Sequence, residues 1–253
     1  MTGALLAGPR LAVYLAWTIA MLPPQLLALA LGRPLVDRIP LIYHRGVCRI
    51  LGIRLERRGN VSPARPTLFV CNHVSYLDIE ALGALTTGCF VAKSEVASWP
   101  VIGLLARLQR SVFIERRRSR AAGQRDALAK RLEDGDNIIL FPEGTSSDGT
   151  RVLPFKSALF AAAADARGPL TVQPVSIAYT GLNGSPLSPE QRSHVAWYGD
   201  AELPGHLWRF LGLGTLTVTV EFHAPVAARD FPTRKALADH CQRAVADGLS
   251  RAA

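Results

Sequence analysis

The strongest constraint on the fold is a regular alternation of strand-like and helix-like segments that begins at Thr67. Short apolar runs rich in β-forming residues predict strands, and the longer segments between them predict helices. This alternation is typical of an α/β domain with a largely parallel sheet. The predicted strands are Thr67–Cys71, Cys89–Ala92, Val112–Glu115, Asn137–Phe141 and Val172–Ala178, and the predicted helices are Tyr76–Leu85, Val101–Leu108, Ser119–Glu133 and Ser157–Arg167.

The last third of the chain predicts one more strand and one more helix. Thr215–Phe222 alternates Thr and Val, which is typical of a half-exposed strand at the edge of a sheet. Arg234–Leu249 predicts a closing helix. Residues 203–211, which lie before this strand, carry Trp208 and Phe210 among leucines. This segment is either a core helix or a membrane-contacting one.

The N-terminal segment has a different character. Residues 11–31 contain no charged side chain and are long enough to span a bilayer. Pro23 and Pro24 lie in the middle and predict a break or kink, so the two halves could instead form a hairpin within one leaflet. A buried core helix is the remaining alternative. We therefore expect an α/β fold with a mostly parallel sheet flanked by helices, preceded by an N-terminal membrane-embedded helical segment.

A basic segment follows the apolar run. Between residues 33 and 65 there are eight arginines against Asp37 and Glu56. Basic residues just beyond a membrane segment indicate the cytoplasmic side and can hold anionic headgroups. A set of apolar side chains here is compatible with an interfacial amphipathic helix: Leu41, Ile42, Val47, Ile50 and Leu51. We assign residues 1–60 to a membrane anchor with a basic interfacial helix and residues 61–253 to the α/β domain.

The overall charge indicates an anionic partner. The formal net charge is +9, which favours nucleic acid, anionic lipid or an acidic carrier protein. Aromatic residues make up only 7% of the chain and no zinc-finger spacing occurs, so we expect no nucleic-acid partner. The four cysteines are scattered without a C-x-x-C pair, which predicts a reducing compartment, no disulfide and no metal site.

Polar side chains follow two of the predicted strands, at the edge where α/β sheets place their ligands. His73 and Asp78 come after the first strand, and Glu143 comes after Asn137–Phe141. A histidine whose ring is held by a carboxylate can act as a general base toward an alcohol. The structural alternatives are a Ser-x-x-Asp capping box from Ser75 to Asp78 and an ordinary turn after Glu143. No Gly-x-Ser-x-Gly motif occurs, so a serine hydrolase of the α/β type is not expected.

Four ordered blocks together resemble the glycerolipid acyltransferase family, the 1-acyl-sn-glycerol-3-phosphate acyltransferases and their relatives. The blocks are Asn72-His73 with Asp78, then Val112-Phe113-Ile114-Glu115-Arg116, then Phe141-Pro142-Glu143-Gly144-Thr145, and last Val172-Gln173-Pro174-Val175-Ser176-Ile177. They span about half of the chain in the family's order, which makes the match specific.

The resemblance implies a role for each matching position. His73 would take the proton from the acceptor hydroxyl, and Asp78 would orient its ring, without an acyl-enzyme. The substrate-binding positions would be Lys93, Arg116, Glu143, Gly144 and Thr145, with Arg116 on the acceptor phosphate. No metal and no cofactor are implied. The co-substrate would be an acyl-carrier protein thioester or acyl-CoA, and the remaining partners would be a lysolipid acceptor and anionic membrane lipid.

One position departs from the family pattern. The third block usually continues Pro-Glu-Gly-Thr-Arg, but Ser146 stands where that arginine is expected, and the next basic residues are Arg151 and Lys156. Either Arg151 replaces the arginine, or the acceptor has no terminal phosphate. Residues 144–149 and 197–200 resemble the branch that acylates lyso-ornithine lipid, whose acceptor is zwitterionic.

The sequence thus predicts a membrane-bound O-acyltransferase at the cytoplasmic membrane, with its active site facing the cytoplasm. The predicted acceptor is 1-acyl-glycerol-3-phosphate, which would give phosphatidate, and lyso-ornithine lipid is the alternative. A non-catalytic lipid-binding membrane protein would explain the anchor and the charge. It would not explain a histidine, an aspartate and a glutamate at strand ends.

Overall fold

The computed structural model describes residues 2–114, 121–164 and 168–252. The helices are α1 (Thr2–Leu31), α2 (Leu35–Leu51), α3 (Leu77–Leu85), α4 (Ile102–Leu108), α5 (Ala121–Glu133), α6 (Ala161–Ala164), α7 (Pro189–Val195), α8 (Leu203–Leu211) and α9 (Arg234–Ala252). The strands are β1 (Ile53–Arg58), β2 (Thr67–Cys71), β3 (Cys89–Lys93), β4 (Val112–Ile114), β5 (Ile138–Leu140), β6 (Thr171–Leu182), β7 (Ser185–Pro186), β8 (Leu216–Phe222) and β9 (Val226–Ala227).

All strands belong to one sheet, in the order β1-β8-β6-β2-β5-β3-β4, with the short β7 and β9 paired to β6. The run from β6 to β4 is parallel throughout. β8 is antiparallel to β6, and β1 is parallel to β8. The predicted α/β class with a mostly parallel sheet flanked by helices is therefore confirmed.

The sheet has an apolar core on each face. On one face α2, α3 and α8 cover the strands with side chains such as Val47, Leu82 and Phe210. On the other face α5, α6 and α9 cover them with side chains such as Leu132 and Val245. Because both faces are covered, the central strand β2 is buried along its whole length, as its continuous apolar sequence predicts.

The strand β8 is not at the edge of the sheet, so that prediction is wrong. It lies between β6 and β1. The reason is the composition of β1, Ile-Arg-Leu-Glu-Arg-Arg, which is typical of a basic surface segment and does not predict a strand. Its exposed arginines suit the outer edge of a sheet, where charge discourages pairing with another chain. The sheet therefore begins before residue 60, where we placed the boundary between the two predicted domains.

The helix α1 runs without interruption through Pro23 and Pro24, so the predicted break is absent. Side chains on both sides of the proline pair hold it to the body: Trp17 Nε1–H donates to the carbonyl of Tyr43, and Gln25 Nε2–H donates to the carbonyl of Leu108. These contacts hold both halves of the helix to the body although prolines remove helical hydrogen bonds. Leu5–Leu31 is long and apolar enough to cross a membrane, and most of it is exposed.

Arginines attach both ends of α1 to the α/β body. Arg10 donates to the carbonyls of Leu211, the last residue of α8, and of Leu213 and Gly214, which follow it. Arg33 lies just past the other end of α1 and contacts the buried carboxylate of Asp136. The helix therefore lies along the protein instead of projecting from it. The next helix, α2, buries Val47 and Leu51 in the core and leaves Ile42 exposed, so its apolar face is directed largely inward.

Candidate active site

The loop after β2 brings His73 and Asp78 together. His73 Nδ1 lies 2.7 Å from Asp78 Oδ2, which confirms the predicted hydrogen bond between them. Since a carboxylate oxygen only accepts, Nδ1 carries the proton, and the lone pair is on Nε2. Within the described residues, Nε2 has no hydrogen-bond partner, and the His73 side chain is 20% exposed. The ring therefore presents a basic nitrogen to solvent.

Four donors hold the Asp78 carboxylate, which is fully buried. Besides His73, its Oδ2 accepts from the backbone N–H groups of Val74 at 2.7 Å and Ser75 at 3.0 Å. Its Oδ1 accepts from the hydroxyl of Tyr179 at 2.7 Å. Charge-assisted hydrogen bonds of this kind stabilise a buried carboxylate and fix its orientation. The imidazole of His73 is thus oriented by a carboxylate that is itself held on both oxygens.

The capping-box alternative is met only in part. α3 begins at Leu77 with Tyr76 as its N-cap and without a side-chain capping bond. Asp78 does accept from the backbone N–H of Ser75, as a capping-box acid would. The same carboxylate therefore orders the start of α3 and supports the His73 ring.

Aromatic and amide side chains fix the rest of the loop. The His73 ring stacks on Phe141, with ring centroids 4.2 Å apart and an angle of 19° between the planes. Asn72 donates to the carbonyl of Ile177 at 2.9 Å and accepts from the Ile177 N–H at 2.8 Å, which binds the end of β2 to β6. The position of the ring is set by contacts from β5 and β6 as well as from its own loop.

Glu143, at the end of β5, is directly beside the dyad. Its Oε1 accepts from the backbone N–H of His73 at 3.3 Å. Within the described part of the chain, its Oε2 is buried without a hydrogen-bond partner. Burial raises the pKa of Glu143 to about 8, the charge of Asp78 adds to this shift, and the His73 N–H opposes it. The raised pKa favours the protonated form of this carboxyl.

The loop after Glu143 covers the histidine loop. The Ser147 N–H donates to the carbonyl of His73 at 2.9 Å. Gly144 has a φ of +68°, a backbone conformation that favours glycine. A Cβ at Gly144 would lie 2.6 Å from Nζ of Lys156. The structure therefore places the ammonium of Lys156 against the Gly144 backbone.

A second serine–histidine–carboxylate arrangement lies elsewhere in the fold. Ser176 Oγ is 2.6 Å from His223 Nε2, and His223 Nδ1 is 3.7 Å from Glu221 Oε1. Ser176 is buried and its hydroxyl lies 2.9 Å from the carbonyl of Val245 in α9, to which it can donate. A nucleophile enclosed beneath a helix is not accessible to substrate, so this group stabilises the packing of α9 on the sheet.

The family is decided by comparison with known sequences. The Acyltransferase family model matches residues 52–178, which include β1, the His73 loop and Glu143. The chain belongs to the acyltransferase family. It is therefore an enzyme, and the resemblance of its four blocks is confirmed.

Several curated relatives of this acyltransferase are named for lysolipid substrates. The lyso-ornithine lipid O-acyltransferase of Brucella abortus is 44% identical over 233 residues, which is 90% of this chain and 87% of the relative. The enzyme of the same name from Rhizobium meliloti is 44% identical over 81% of this chain and 72% of the relative. The 1-acyl-sn-glycerol-3-phosphate acyltransferase of Neisseria meningitidis is 36% identical over 79% of this chain and 76% of the relative.

The fold of this acyltransferase is also found in a solved structure. The 1-acyl-sn-glycerophosphate (LPA) acyltransferase PlsC from Thermotoga maritima superposes with a TM-score of 0.72 at 22% identity. The match covers 98% of this chain and 94% of the other. At this level of identity the likeness establishes the fold.

The structure brings together some of the predicted binding residues of the acyltransferase. Glu143 and Gly144 lie beside the dyad, as expected from the order β2-β5-β3-β4 at one sheet edge. Lys93 is exposed at the end of β3, and Thr145 and Arg151 are exposed in the loop after β5. Arg116 lies outside the described residues. The substrate contacts of these residues stay predictions.

Two residues near the dyad were not singled out from the sequence as site residues. Tyr179 lies inside the strand β6, where its alternation with Ile177 is typical of core packing. The hydrogen bond from its hydroxyl to Asp78 is therefore visible only in the structure. Lys156 is twelve residues beyond Gly144 and could be recognised only as one of the next basic residues after Ser146.

The site contains few groups suited to metal binding. Across residues 2–114, 121–164 and 168–252, no cluster of three or more His, Cys, Asp or Glu side chains is arranged to hold a metal ion. The expectation that the reaction uses no metal or cofactor stays a prediction. The chemistry that the described groups offer is proton transfer by His73, beside the Glu143 carboxyl.

Proposed function

We propose that this acyltransferase moves a fatty acyl group from a thioester to the free hydroxyl of a lysolipid, and that lyso-ornithine lipid is its main acceptor. The observation that carries the reaction type is the dyad, in which Asp78 holds Nδ1 of His73 at 2.7 Å and leaves Nε2 open. A histidine in this state is a general base for an alcohol.

The reaction needs no acyl-enzyme. Nε2 of His73 takes the proton as the acceptor oxygen attacks the thioester carbonyl, and Asp78 stabilises the imidazolium that forms. The tetrahedral intermediate then breaks its carbon–sulfur bond, and the departing thiolate receives the proton from His73. The products are an ester and a free thiol, and the enzyme returns to its starting protonation state.

Two observations favour lyso-ornithine lipid over 1-acyl-glycerol-3-phosphate, the acceptor that the sequence first predicts. Relatives 44% identical to the chain are named as lyso-ornithine lipid acyltransferases, whereas those named for the glycerol phosphate are 36% identical or less. Ser146 also replaces the arginine that the family pattern places near a phosphate. A zwitterionic acceptor needs less positive charge than a phosphate dianion.

The Lys156 side chain suits a carboxylate on the acceptor, because its ammonium lies at Gly144 and supplies a positive charge there. The donor is either acyl-carrier protein or coenzyme A, because the net charge of +9 suits both anionic carriers. The location proposed is the cytoplasmic face of the inner membrane, held by α1 and anionic lipid.

The test is a direct comparison of acceptors. Purified protein with an acyl thioester should give ornithine lipid from lyso-ornithine lipid at a higher kcat/KM than phosphatidate from 1-acyl-glycerol-3-phosphate, as separated by thin-layer chromatography. Ser146→Arg should shift the ratio of the two kcat/KM values toward the phosphate acceptor, and Ser146→Gln, which adds a long neutral side chain, serves as its control. A higher kcat/KM for the phosphate acceptor in the wild-type enzyme would reject the proposed acceptor while leaving the reaction type intact.

A further inference from the structure

An uncharged segment between β3 and β4 forms an exposed apolar surface. Residues 97–106 contain no charged side chain. Four of their large apolar side chains are exposed: Trp99, Val101, Ile102 and Leu104, with Val101 65% and Leu104 52% accessible. We call residues 99–104 the 99–104 surface. Apolar side chains clustered on one surface, in contrast to single ones, indicate a contact with another apolar phase.

The backbone of the 99–104 surface projects one of these side chains at its tip. The Ile102 N–H donates to the carbonyl of Pro100 at 2.7 Å, which closes a three-residue γ-turn around Val101. Val101 has a φ of 63° and a ψ of −57°. A β-branched residue with positive φ is a strained conformation that persists mainly where function maintains it. Contact of the exposed valine side chain with water does not offset the strain of this backbone conformation.

The 99–104 surface is continuous with the apolar anchor helix. α4 directs its inner side at α1, where Leu105 and Leu108 line a cleft together with Met21 and Leu22. Gln25 of α1 donates to the carbonyl of Leu108, so the two helices are bonded as well as packed. Ile102 and Leu104 of α4 are exposed, as are many apolar side chains of α1. Because α4 packs against α1, a membrane that surrounds the exposed side of α1 would also lie close to α4.

The position of the 99–104 surface relates it to the active site. The segment joins the end of β3 to the start of β4, and β3 ends at the same sheet edge as β2 and β5, which carry His73 and Glu143. A lysolipid acceptor has its acyl chain in a bilayer and its hydroxyl near the headgroups. A membrane contact beside this edge would bring the hydroxyl toward His73 without extracting the lipid.

We propose that the 99–104 surface is a second membrane-docking element, which inserts Trp99, Val101, Ile102 and Leu104 into the lipid interface alongside α1. The proposal rests on the membrane location given under the proposed function. Tryptophan at the border of the segment suits the headgroup region, and the aliphatic tip suits the acyl boundary. An acidic carrier protein is a poorer occupant, because the exposed side chains of the 99–104 surface are all apolar and the adjacent cation, Arg107, is bonded to the carbonyl of Ala97.

Cysteine labelling can measure the insertion directly. The four native cysteines are all buried, so a thiol-reactive environment-sensitive dye will label an introduced exposed cysteine selectively. The test variants are Val101→Cys and Leu104→Cys, with Leu27→Cys on the exposed side of α1 as the positive control. Ala246→Cys on α9 is the negative control, because α9 covers the opposite face of the sheet. Each labelled protein is mixed with phosphatidylethanolamine and phosphatidylglycerol vesicles that contain a lipid-attached quencher.

Dyes at positions 101 and 104 should shift to the blue and be quenched, as should the dye at 27, while the dye at 246 should not respond. If the dye at 27 responds and those at 101 and 104 do not, the second docking element is rejected and α1 alone anchors the enzyme. If none responds, the membrane location and the inference both fail. Acyl transfer to a short-chain, dissolved lysolipid would still test the enzyme assignment separately. A response at 101 to acyl-carrier protein without vesicles would overturn the inference in favour of a protein partner.

A charge variant tests the consequence for affinity. Val101→Asp should weaken binding to vesicles by about tenfold or more, because burying a valine side chain contributes that much and an aspartate cannot replace it. Ala246→Asp, which changes the net charge equally on the opposite side, should leave the affinity within twofold of wild type. Transfer to a dissolved short-chain acceptor should be unchanged in Val101→Asp, which would show that the protein is folded. Equal affinities for the two variants would overturn the inference.

Discussion

Two histidine–carboxylate pairs converge on the same helix, and only one of them is arranged for catalysis. His73 pairs with Asp78 and His44 pairs with Glu80, and both acids belong to α3. In each pair Nδ1 lies 2.7 Å from a carboxylate oxygen. The difference is at the other ring nitrogen. Nε2 of His44 lies 2.8 Å from the side-chain amide of Gln109, and the His44 side chain is only 2% exposed.

The comparison shows what distinguishes a catalytic pair from a structural one. A carboxylate at Nδ1 orients a ring in both cases, but a base needs a second nitrogen that is free and accessible. In His44 that nitrogen joins α2 to the end of α4, so the pair ties three helices together. In His73 it faces solvent at the carboxyl edge of the sheet. A His–carboxylate distance alone would therefore identify both pairs as candidate sites, whereas the open Nε2 selects His73.

The largest effect on kcat is expected from removing the open Nε2 of His73. His73→Ala should lower kcat for acyl transfer by about 10² to 10⁴, the usual contribution of a general base. The fold should persist, because the side chain is partly exposed and its backbone bonds to Glu143 and Ser147 remain. The rate is measured with a radiolabelled acyl thioester.

The matched control for that variant is His44→Gln. Loss of the contact with Glu80 should lower the free energy of unfolding by about 1 to 3 kcal/mol. It should leave kcat within a few-fold of wild type. If His44→Gln abolished transfer in a folded protein while His73→Ala retained it, the roles of the two pairs would be exchanged.

A smaller effect on kcat is expected from removing one of the hydrogen bonds that hold the Asp78 carboxylate. Tyr179→Phe removes the hydroxyl that donates to Oδ1 of Asp78 and leaves the ring in place. Burial, and then the charge of Asp78, raise the pKa of Tyr179 well above its usual value, so the hydroxyl is a donor at every working pH. We expect kcat to fall about tenfold, because one hydrogen bond to a charged group contributes about 1.5 to 3 kcal/mol. An unchanged kcat would mean that His73 and two backbone N–H groups suffice to hold Asp78.

The last prediction concerns stability and not the rate, through the pH dependence of Glu143. Its pKa in the folded protein is about 8, above the ordinary value of 4.5. Between these values the unfolded chain releases a proton that the folded protein keeps, so the free energy of unfolding should fall as pH rises from 4.5 to 8. Glu143→Gln should remove this part of the pH dependence. Urea unfolding of both proteins at pH 5 and pH 8 measures this difference. An equal change in the free energy of unfolding between the two pH values in both proteins would show that Glu143 is not the group responsible.

The sequence predicts the central strands and the dyad because their signals are local. The buried strand Thr67–Cys71 is predicted with its observed bounds, and the spacing from His73 to Asp78 matches one short loop and the first turn of a helix. Glu143 is predicted at the same edge because parallel strands share their carboxyl ends. These conclusions need the order of elements but no knowledge of how distant segments pack.

The errors come from residues whose environment depends on distant partners. β1 has arginines at half of its positions and does not have the composition of a buried strand, so the position of β8 inside the sheet could not be predicted. The continuity of α1 through two prolines depends on bonds to Tyr43 and Leu108, which lie far away in sequence. The contacts of Tyr179 and Lys156 likewise join residues that only the folded chain brings together.

The attachment of α1 at both ends has a practical consequence for biochemical work. Deleting residues 1–31 to obtain a water-soluble enzyme would remove Arg10 from the carbonyls after α8 and Trp17 from the surface of α2. It would uncover apolar side chains that normally contact α1, including Tyr43 and Leu108. For this acyltransferase, purification of the intact chain in detergent is preferable to truncation, since the hydrophobic helix packs on α2, which in turn packs on α3 and its dyad.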